Sequence, residues 1–131
     1  MKFQPDFLEG VNTISRQDRF GIWVAGQSHQ GSIIVPWVGA LQAWSPTRFE
    51  ELEPGHFEQL LAFEPEVVIF GSGERLRFVA APMIRSLVER RIGVEVMDSA
   101  AACRTYNVLA SERRAVLAAL LFDAASASER T

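Results

Sequence analysis

Four candidates for chemistry can be weighed from residue types and spacings in this 131-residue chain. The first is Gly71-Ser72-Gly73, directly after the apolar run Val67-Val68-Ile69-Phe70. Glycines at the end of a buried strand let backbone amides close on a phosphate at a helix N-terminus. The dinucleotide fingerprint needs a further glycine at 76, where Leu76 stands, and Asp98 is a weak substitute for its ribose-binding acid. The stretch therefore reads either as a ligand-free glycine turn or as a small-ligand or anion site.

The second stretch is Gly26-Gln27-Ser28-His29-Gln30-Gly31. It nearly spells a nucleophile elbow, but Gln30 takes the place of the second glycine. It also lies between two strands, where an elbow needs a strand followed by a helix. A hairpin loop is the expectation. The third candidate is metal. His29 and His56 are the only histidines and Cys103 the only thiol, at spacings that match no zinc pattern, so no metal and no cofactor is expected.

The fourth stretch, Met97 to Arg114, is the most informative. Asp98 or Ser99 caps a helix to about Ala110, and Ala100 to Ala102 let it approach a sheet closely. Cys103, Asn107 and Ala110 share one face, with Ala102, Tyr106 and Leu109 beside them. Asparagine has no propensity reason to sit inside a helix. Asn107 either hydrogen-bonds a neighbouring loop, such as the one after Phe70, or belongs to a ligand-contacting polar face. Cys103 as a nucleophile needs a base and a depressed pKa, and no histidine is near in sequence. A small buried residue is the simpler reading.

These residues need a scaffold. From Asn12 to Val38 the pattern is strand-like: Phe20, Ile22 and Val24 alternate with Gly21, Trp23 and Ala25, and Ser32 to Val35 resumes after the polar turn, as in a hairpin. Leu41 to Trp44 suits a short strand. Trp23, Trp37 and Trp44 read as core. Pro54 sits at a first helical position, with helical spacing from His56 to Phe63. Val67 to Phe70 is a buried parallel strand. A helix over Ala81 to Arg91 turns Met83, Leu87 and Val88 inward, and Val94 to Met97 is the next strand. Ser111 caps a last helix with Val116, Leu117, Leu120 and Leu121 facing the core. The back half alternates strand and helix, which favours parallel crossovers; the front half is antiparallel, giving a mixed sheet with helices.

Hydrophobic residues make up 48% of the chain and charged residues 22%, so it can hold a core in a single domain, residues 1–131, with 1–10 and 123–131 flexible. Net charge is −3. The arginines near 85–91 and 113–114 make a thin case for nucleic acid, which is not an expected partner. No apolar stretch is long enough for a signal peptide or a membrane span, and one cysteine forms no intramolecular disulfide, so a cytoplasmic location is expected. Direct membrane insertion is not.

The run Val-Val-Ile-Phe-Gly-Ser-Gly, then Gly93-Val-Glu95-Val-Met-Asp98, then Ala-Ala-Cys-Arg-Thr-Tyr-Asn-Val-Leu, resembles a widespread uncharacterised domain family. That family includes the mitochondrial complex I assembly factor three and the adipogenesis-associated protein. The likeness runs from about Gly31 to Leu121 and is most specific from Met97 to Leu109. It implies a three-layer α/β fold on a mixed central sheet with flanking helices. It implies no proven activity, and an accessory role in assembling a membrane respiratory complex for some members. The family's recurrent positions fall on Gly71, Gly73, Glu95, Asp98, Ala102, Tyr106, Asn107, Leu109, Glu112 and Arg114. Relatives often carry glycine where this chain has Arg113.

Two functions follow. One is a non-catalytic interaction module of accessory or assembly type, with a protein partner related to a membrane complex. The other is a small-molecule-binding protein or enzyme with its site between the loop after Phe70 and the helix at Asp98. Its candidate ligand residues are Gly71, Ser72, Gly73, Asp98, Arg104, Tyr106 and Asn107.

Overall fold

The computed structural model describes residues 10–123. Of the proposed flexible ends, 1–10 and 123–131, residues 1–9 and 124–131 lie outside the described residues. Two sheets organise the chain. The first contains β1 (Ile14–Asp18), β2 (Gly21–Val24) and β3 (Gln27–Gln30), all antiparallel. The second has the order β5-β4-β8-β6-β7, built from β4 (Ile33–Val35), β5 (Gln42–Ala43), β6 (Val67–Gly71), β7 (Gly93–Met97) and β8 (Val116–Leu120). β6 runs parallel to both β7 and β8, whereas β4 is antiparallel to β8 and β5. The mixed central sheet and antiparallel front half agree with the sequence.

Alternate residues of the central strands feed two cores. Val67, Ile69, Val116, Ala118 and Leu120 face a cluster with the first sheet and Ala102, Cys103, Tyr106 and Ala110 of α3 (Ser99–Ser111). Val68, Phe70, Leu117, Ala119 and Leu121 face the opposite cluster, with Trp44, Phe57 of α1 (Pro54–Glu58) and Leu87 of α2 (Arg85–Glu89). Three layers result. The second core is aromatic: the Phe70 ring meets Trp44, Phe57 and Phe49 at centroid distances of 6.1, 5.3 and 6.4 Å. Pro54 stands at the start of α1 as expected, and a 3-10 turn over Gln59–Phe63 continues it.

The structure corrects four expectations. Val116 to Leu121 does not lie on a helix; it forms β8 and its exit, between β4 and β6. A continuous apolar run has no period, so the helical spacing of Val116, Leu117, Leu120 and Leu121 carried no information. A strand covered on both faces needs apolar side chains at every position, and all five residues of β8 are buried. The polar stretch at 27–30 is a strand rather than a loop, because β3 edges an exposed sheet and needs no apolar residues. The hairpin turn is Ala25-Gly26, with φ of 53° and 80°, the paired left-handed conformations of a two-residue turn. β2 and β4 therefore belong to different sheets. Finally, the helix expected over 81–91 splits into a 3-10 turn, Ala81–Ile84, and the short α2, whose Val88 points outward at 58% exposure.

Candidate functional site

The carboxyl ends of the parallel strands meet the start of α3. The chain leaves β6 toward the α1/α2 layer and leaves β7 toward the α3 layer. Divergence of neighbouring strands to opposite faces opens a crevice at their carboxyl ends. Gly71 ends β6 without a side chain because the first turn of α3 lies against it. A Cβ there would sit 2.8 Å from Ser99 Oγ and 2.9 Å from Ser99 Cα and Leu120 Cδ2. Gly73 adopts φ of +109°, which glycine reaches without strain.

Ser99 closes this joint. Its buried hydroxyl donates to the Leu121 carbonyl (2.7 Å) and accepts from the Gly73 N–H (3.0 Å), while its own N–H donates to the Gly73 carbonyl (2.8 Å). The Ser72 N–H donates to the Met97 carbonyl at 2.9 Å. The Ser72 hydroxyl lies 2.7 Å from the Arg75 carbonyl and accepts from the Arg77 N–H at 3.0 Å. The amides of Ser72 and Gly73, for which the sequence left open a ligand-free turn or an anion site, are thus spent within the protein. Asp98 caps α3 through Oδ1, which accepts the Ala101 N–H at 2.8 Å. Of the two caps expected, Asp98 or Ser99, the structure has Asp98.

Beside the joint lies a crevice of about 270 Å³, lined in part by Asp18, Arg19, Gly73, Glu74, Asp98 and Asp123. Arg19 spans its mouth, 3.6 Å from Glu74 and 3.1 Å from Asp123. Asp18 Oδ1 accepts the Phe20 and Gly21 N–H groups and shapes the β1–β2 turn at the rim. A second cavity of about 210 Å³ adjoins it across Gly73, Glu74 and residues 121–123, with Ser72, Arg48, Arg75 and Arg77 in its wall. The crevice wall is richer in carboxylates than in cations.

The structure brings Gly71, Ser72, Gly73 and Asp98 together at the joint. It places the other three candidates elsewhere. Tyr106 is fully buried, with its hydroxyl 2.9 Å from the Asn12 carbonyl and 3.1 Å from that of Pro36. Burial holds this phenol well above its ordinary pKa. Asn107 bonds not the loop after Phe70 but the backbone of β1: its Oδ1 accepts the Ile14 N–H at 2.9 Å and its Nδ2 donates to the Ile14 carbonyl at 2.8 Å. The carboxamide thus replaces a neighbouring strand. Arg104 is exposed on the next face. Cys103 is buried, and desolvation pushes its thiol up to about 12 against the smaller opposing pull of Arg104. Such a thiol stays protonated and unreactive at neutral pH.

The other early candidates also resolve. Ser28 and His29 are successive residues of β3, so their side chains point to opposite faces of the sheet. His56 Nδ1 accepts the Glu53 N–H at 2.9 Å, helping to cap α1. Among the described residues, no group of three or more His, Cys, Asp or Glu is placed to hold a metal ion. No helix among them is long and apolar enough to cross a membrane. Sequence reasoning missed Ser99 as the hub of the joint, and missed Asp18 and Arg19 at the rim. The Asp-Arg-Phe-Gly turn signal was there, but nothing in the spacing shows that this turn folds over a joint about eighty residues away.

Comparison with known proteins gives the wider setting. A Danio rerio protein named NADH dehydrogenase [ubiquinone] 1 alpha subcomplex assembly factor 3 is 33% identical over 84 residues. That match covers 63% of this chain and 48% of the relative, so the chain spans about half the length of the curated relative it matches. The crystal structure of a Bordetella parapertussis protein superposes with a TM-score of 0.82 at 31% identity, covering 87% of this chain and 98% of that one. A Bordetella pertussis protein described as a Mth938-like domain superposes with a TM-score of 0.78 at 26% identity, covering 100% of this chain and 98% of that one. The family called protein of unknown function (DUF498/DUF598) matches residues 14–121. The resemblance read from the sequence is borne out, and the chain belongs to that family.

Proposed function

We propose that this protein is a non-catalytic accessory factor of the assembly type, which acts by holding a protein partner. One observation carries this: of the positions that mark the family, Gly73, Tyr106 and Asn107 are tied to the protein's own backbone and side chains, while Glu112 and Arg114 stay exposed. Ser72, Gly73, Tyr106 and Asn107 satisfy one another's neighbourhood through backbone bonds, and Cys103 is a protonated thiol in a core. What the family motif specifies here is a rigid frame on which a binding surface is displayed. The name of the Danio rerio relative, an assembly factor for an NADH dehydrogenase subcomplex, points the same way. A cytoplasmic place of action, with a partner belonging to a membrane complex, is part of the proposal. The test is deletion of the gene in its own host, followed by native gels of the NADH dehydrogenase complex. A reduced amount of full-size complex, restored by the wild-type gene, is the expected outcome. Unchanged assembly rejects the reading.

A second reading has the crevice in its favour. A cavity of about 270 Å³ at diverging strand ends is where α/β sheets bind small molecules. Its carboxylates, Asp18, Glu74, Asp98 and Asp123 against Arg19, favour a cationic molecule over the anion first suggested by the glycines. A thermal-shift screen of amines and metabolites tests it, since a ligand of the folded state alone must raise Tm. A rise abolished by Asp98→Ala supports the site; a flat screen rejects it.

A further inference from the structure

The segment between β6 and α2 exposes a ridge that the frame does not explain. From Leu76 to Ala80 the chain alternates outward and inward. Arg77 turns in, its guanidinium 4.2 Å over the Phe49 ring and 2.7 Å from Glu50. Val79 turns in and packs on the aromatic core. Leu76, Phe78 and Ala80 turn out, and Ala81 and Pro82 continue the exposed surface. Leu76 is 51% exposed and Phe78 72%, the most exposed large hydrophobic side chain among the described residues. Both ends of the ridge are tied: the Ser72 hydroxyl accepts the Arg77 N–H, and the Met83 N–H donates to the Ala80 carbonyl at 2.9 Å. An apolar ridge held open in this way is ordered before it meets anything.

Charge gathers along the same segment. From 75 to 91 there are five arginines and one carboxylate, Glu89, in a chain whose net charge is −3. Arg75, Arg85, Arg90 and Arg91 are exposed, and the ion pairs seen among the described residues involve other arginines. Arg75 precedes the ridge and Arg85 opens α2 just after it.

We propose that this ridge docks the protein peripherally on an anionic lipid surface, with Leu76 and Phe78 entering the interface and Arg75, Arg85, Arg90 and Arg91 lying among the headgroups. Three features favour lipid over a protein groove. The outward side chains at 76, 78 and 80 carry no hydrogen-bonding group that could set a register. Leu76 and Phe78 project two residues apart from a segment outside the helices and strands, so both can enter an interface together. The arginines are spread along 17 residues, which suits a laterally continuous negative layer better than a discrete carboxylate. The inference is independent of the assembly role, because it concerns where the protein sits rather than what it assembles.

The test is co-sedimentation of the full chain with phosphatidylcholine vesicles, with and without phosphatidylglycerol. Binding is expected to the anionic vesicles, weakened by salt, and not to the neutral ones. Phe78→Ser is expected to lower the partition coefficient about tenfold, from the apolar surface no longer buried. Arg75→Glu with Arg85→Glu lowers it by about fivefold or more for each lost arginine near the surface. All three side chains are exposed, so the variants keep the wild-type Tm, which is measured alongside. Absence of binding to anionic vesicles, the result expected of a ridge that fits a protein groove, overturns the proposal. So does binding that Phe78→Ser leaves unchanged.

Discussion

The middle of α3 and its amino end are built from the same helix but differ in how they use their polar groups. In the middle, Tyr106 and Asn107 reach across to the chain at 12–14 and 36, and Trp37 Nε1 donates to the Ala110 carbonyl at 3.1 Å. These bonds span roughly seventy to ninety residues of sequence and staple the first sheet to the frame. At the amino end, Asp98 bonds within its own first turn and Ser99 bonds residues 22 and 26 positions away, and a crevice stays open beside them. The difference is between a surface already occupied by the protein's own backbone and one that still has room. Residue type does not reveal it: asparagine, tyrosine, aspartate and serine all look like ligand residues in a sequence.

The largest effect belongs to the closed region. Tyr106→Ala removes a fully buried aromatic ring and its bond to the N-terminal segment, and should cost about 3–5 kcal/mol. Asn107→Ala leaves the Ile14 N–H and carbonyl unpaired, at about 1–3 kcal/mol. Chemical denaturation measures both. If the comparison is right, hydrogen exchange in Asn107→Ala rises first in β1. Losses confined to the crevice instead would mean that the staple has been misplaced.

Gly71→Ala comes next and probes the amino end. Its Cβ would meet Ser99 and Leu120 at 2.8–2.9 Å, two of those contacts being the fixed turn of α3 and a core leucine. The helix must shift, at about 1–3 kcal/mol. The informative readout is Gly71→Ala with Ser99→Ala, which removes the closest oxygen. A double variant more stable than the sum of the two single losses places the clash at Ser99; strict additivity would show that Gly71 is needed for something else.

Asp98→Ala should cost only about 1 kcal/mol, the ordinary value for a lost N-cap. Because the carboxylate also lines the crevice, it separates stability from binding. A stability loss of that size with no change in any ligand response leaves Asp98 as a cap. A loss of ligand response much larger than the loss of stability makes it part of a site.

How much of this was legible beforehand follows from the physics of each element. Val67 to Phe70 announced a buried strand because the glycines and Pro65 bracket a β-branched run. A cap at Asp98 or Ser99 and a strand at 94–97 were equally plain, since both signals are local. The β8 strand was misread because Ala-Val-Leu-Ala-Ala-Leu-Leu favours helix by propensity, and only its place between β4 and β6 decides against it. At the site, the glycines read either as a ligand-free turn or as a small-ligand or anion site, and spacing alone did not choose between the two. They mark a close approach of helix to strand, and what fills that approach, Ser99 and Leu120, is settled by the tertiary fold. Asn107 was rightly singled out as odd for a helix, but its partner lies 93 residues away.

The smallest expected effect, and one of opposite sign, lies at the carboxyl end of α3. Arg113 adopts φ of 63°, the left-handed conformation that ends many helices, at the position where the family resemblance implies glycine. The bonds around it form a tight closing turn: the Arg113 N–H donates to the Ala110 carbonyl at 3.3 Å and the Arg114 N–H to that of Leu109 at 3.2 Å. A side chain in this conformation costs about 1 kcal/mol relative to glycine, less the extra freedom that glycine gives the unfolded chain. Arg113→Gly should therefore stabilise the protein by no more than about 0.5 kcal/mol, with the crevice and the Asn107 staple untouched. Since Arg113 is exposed, its guanidinium has little packing to lose. A stabilised variant that keeps wild-type behaviour in the assembly test shows that this turn is a helix stop and nothing more. A destabilised or inactive one would mean that the arginine at this position contacts something the frame itself does not supply.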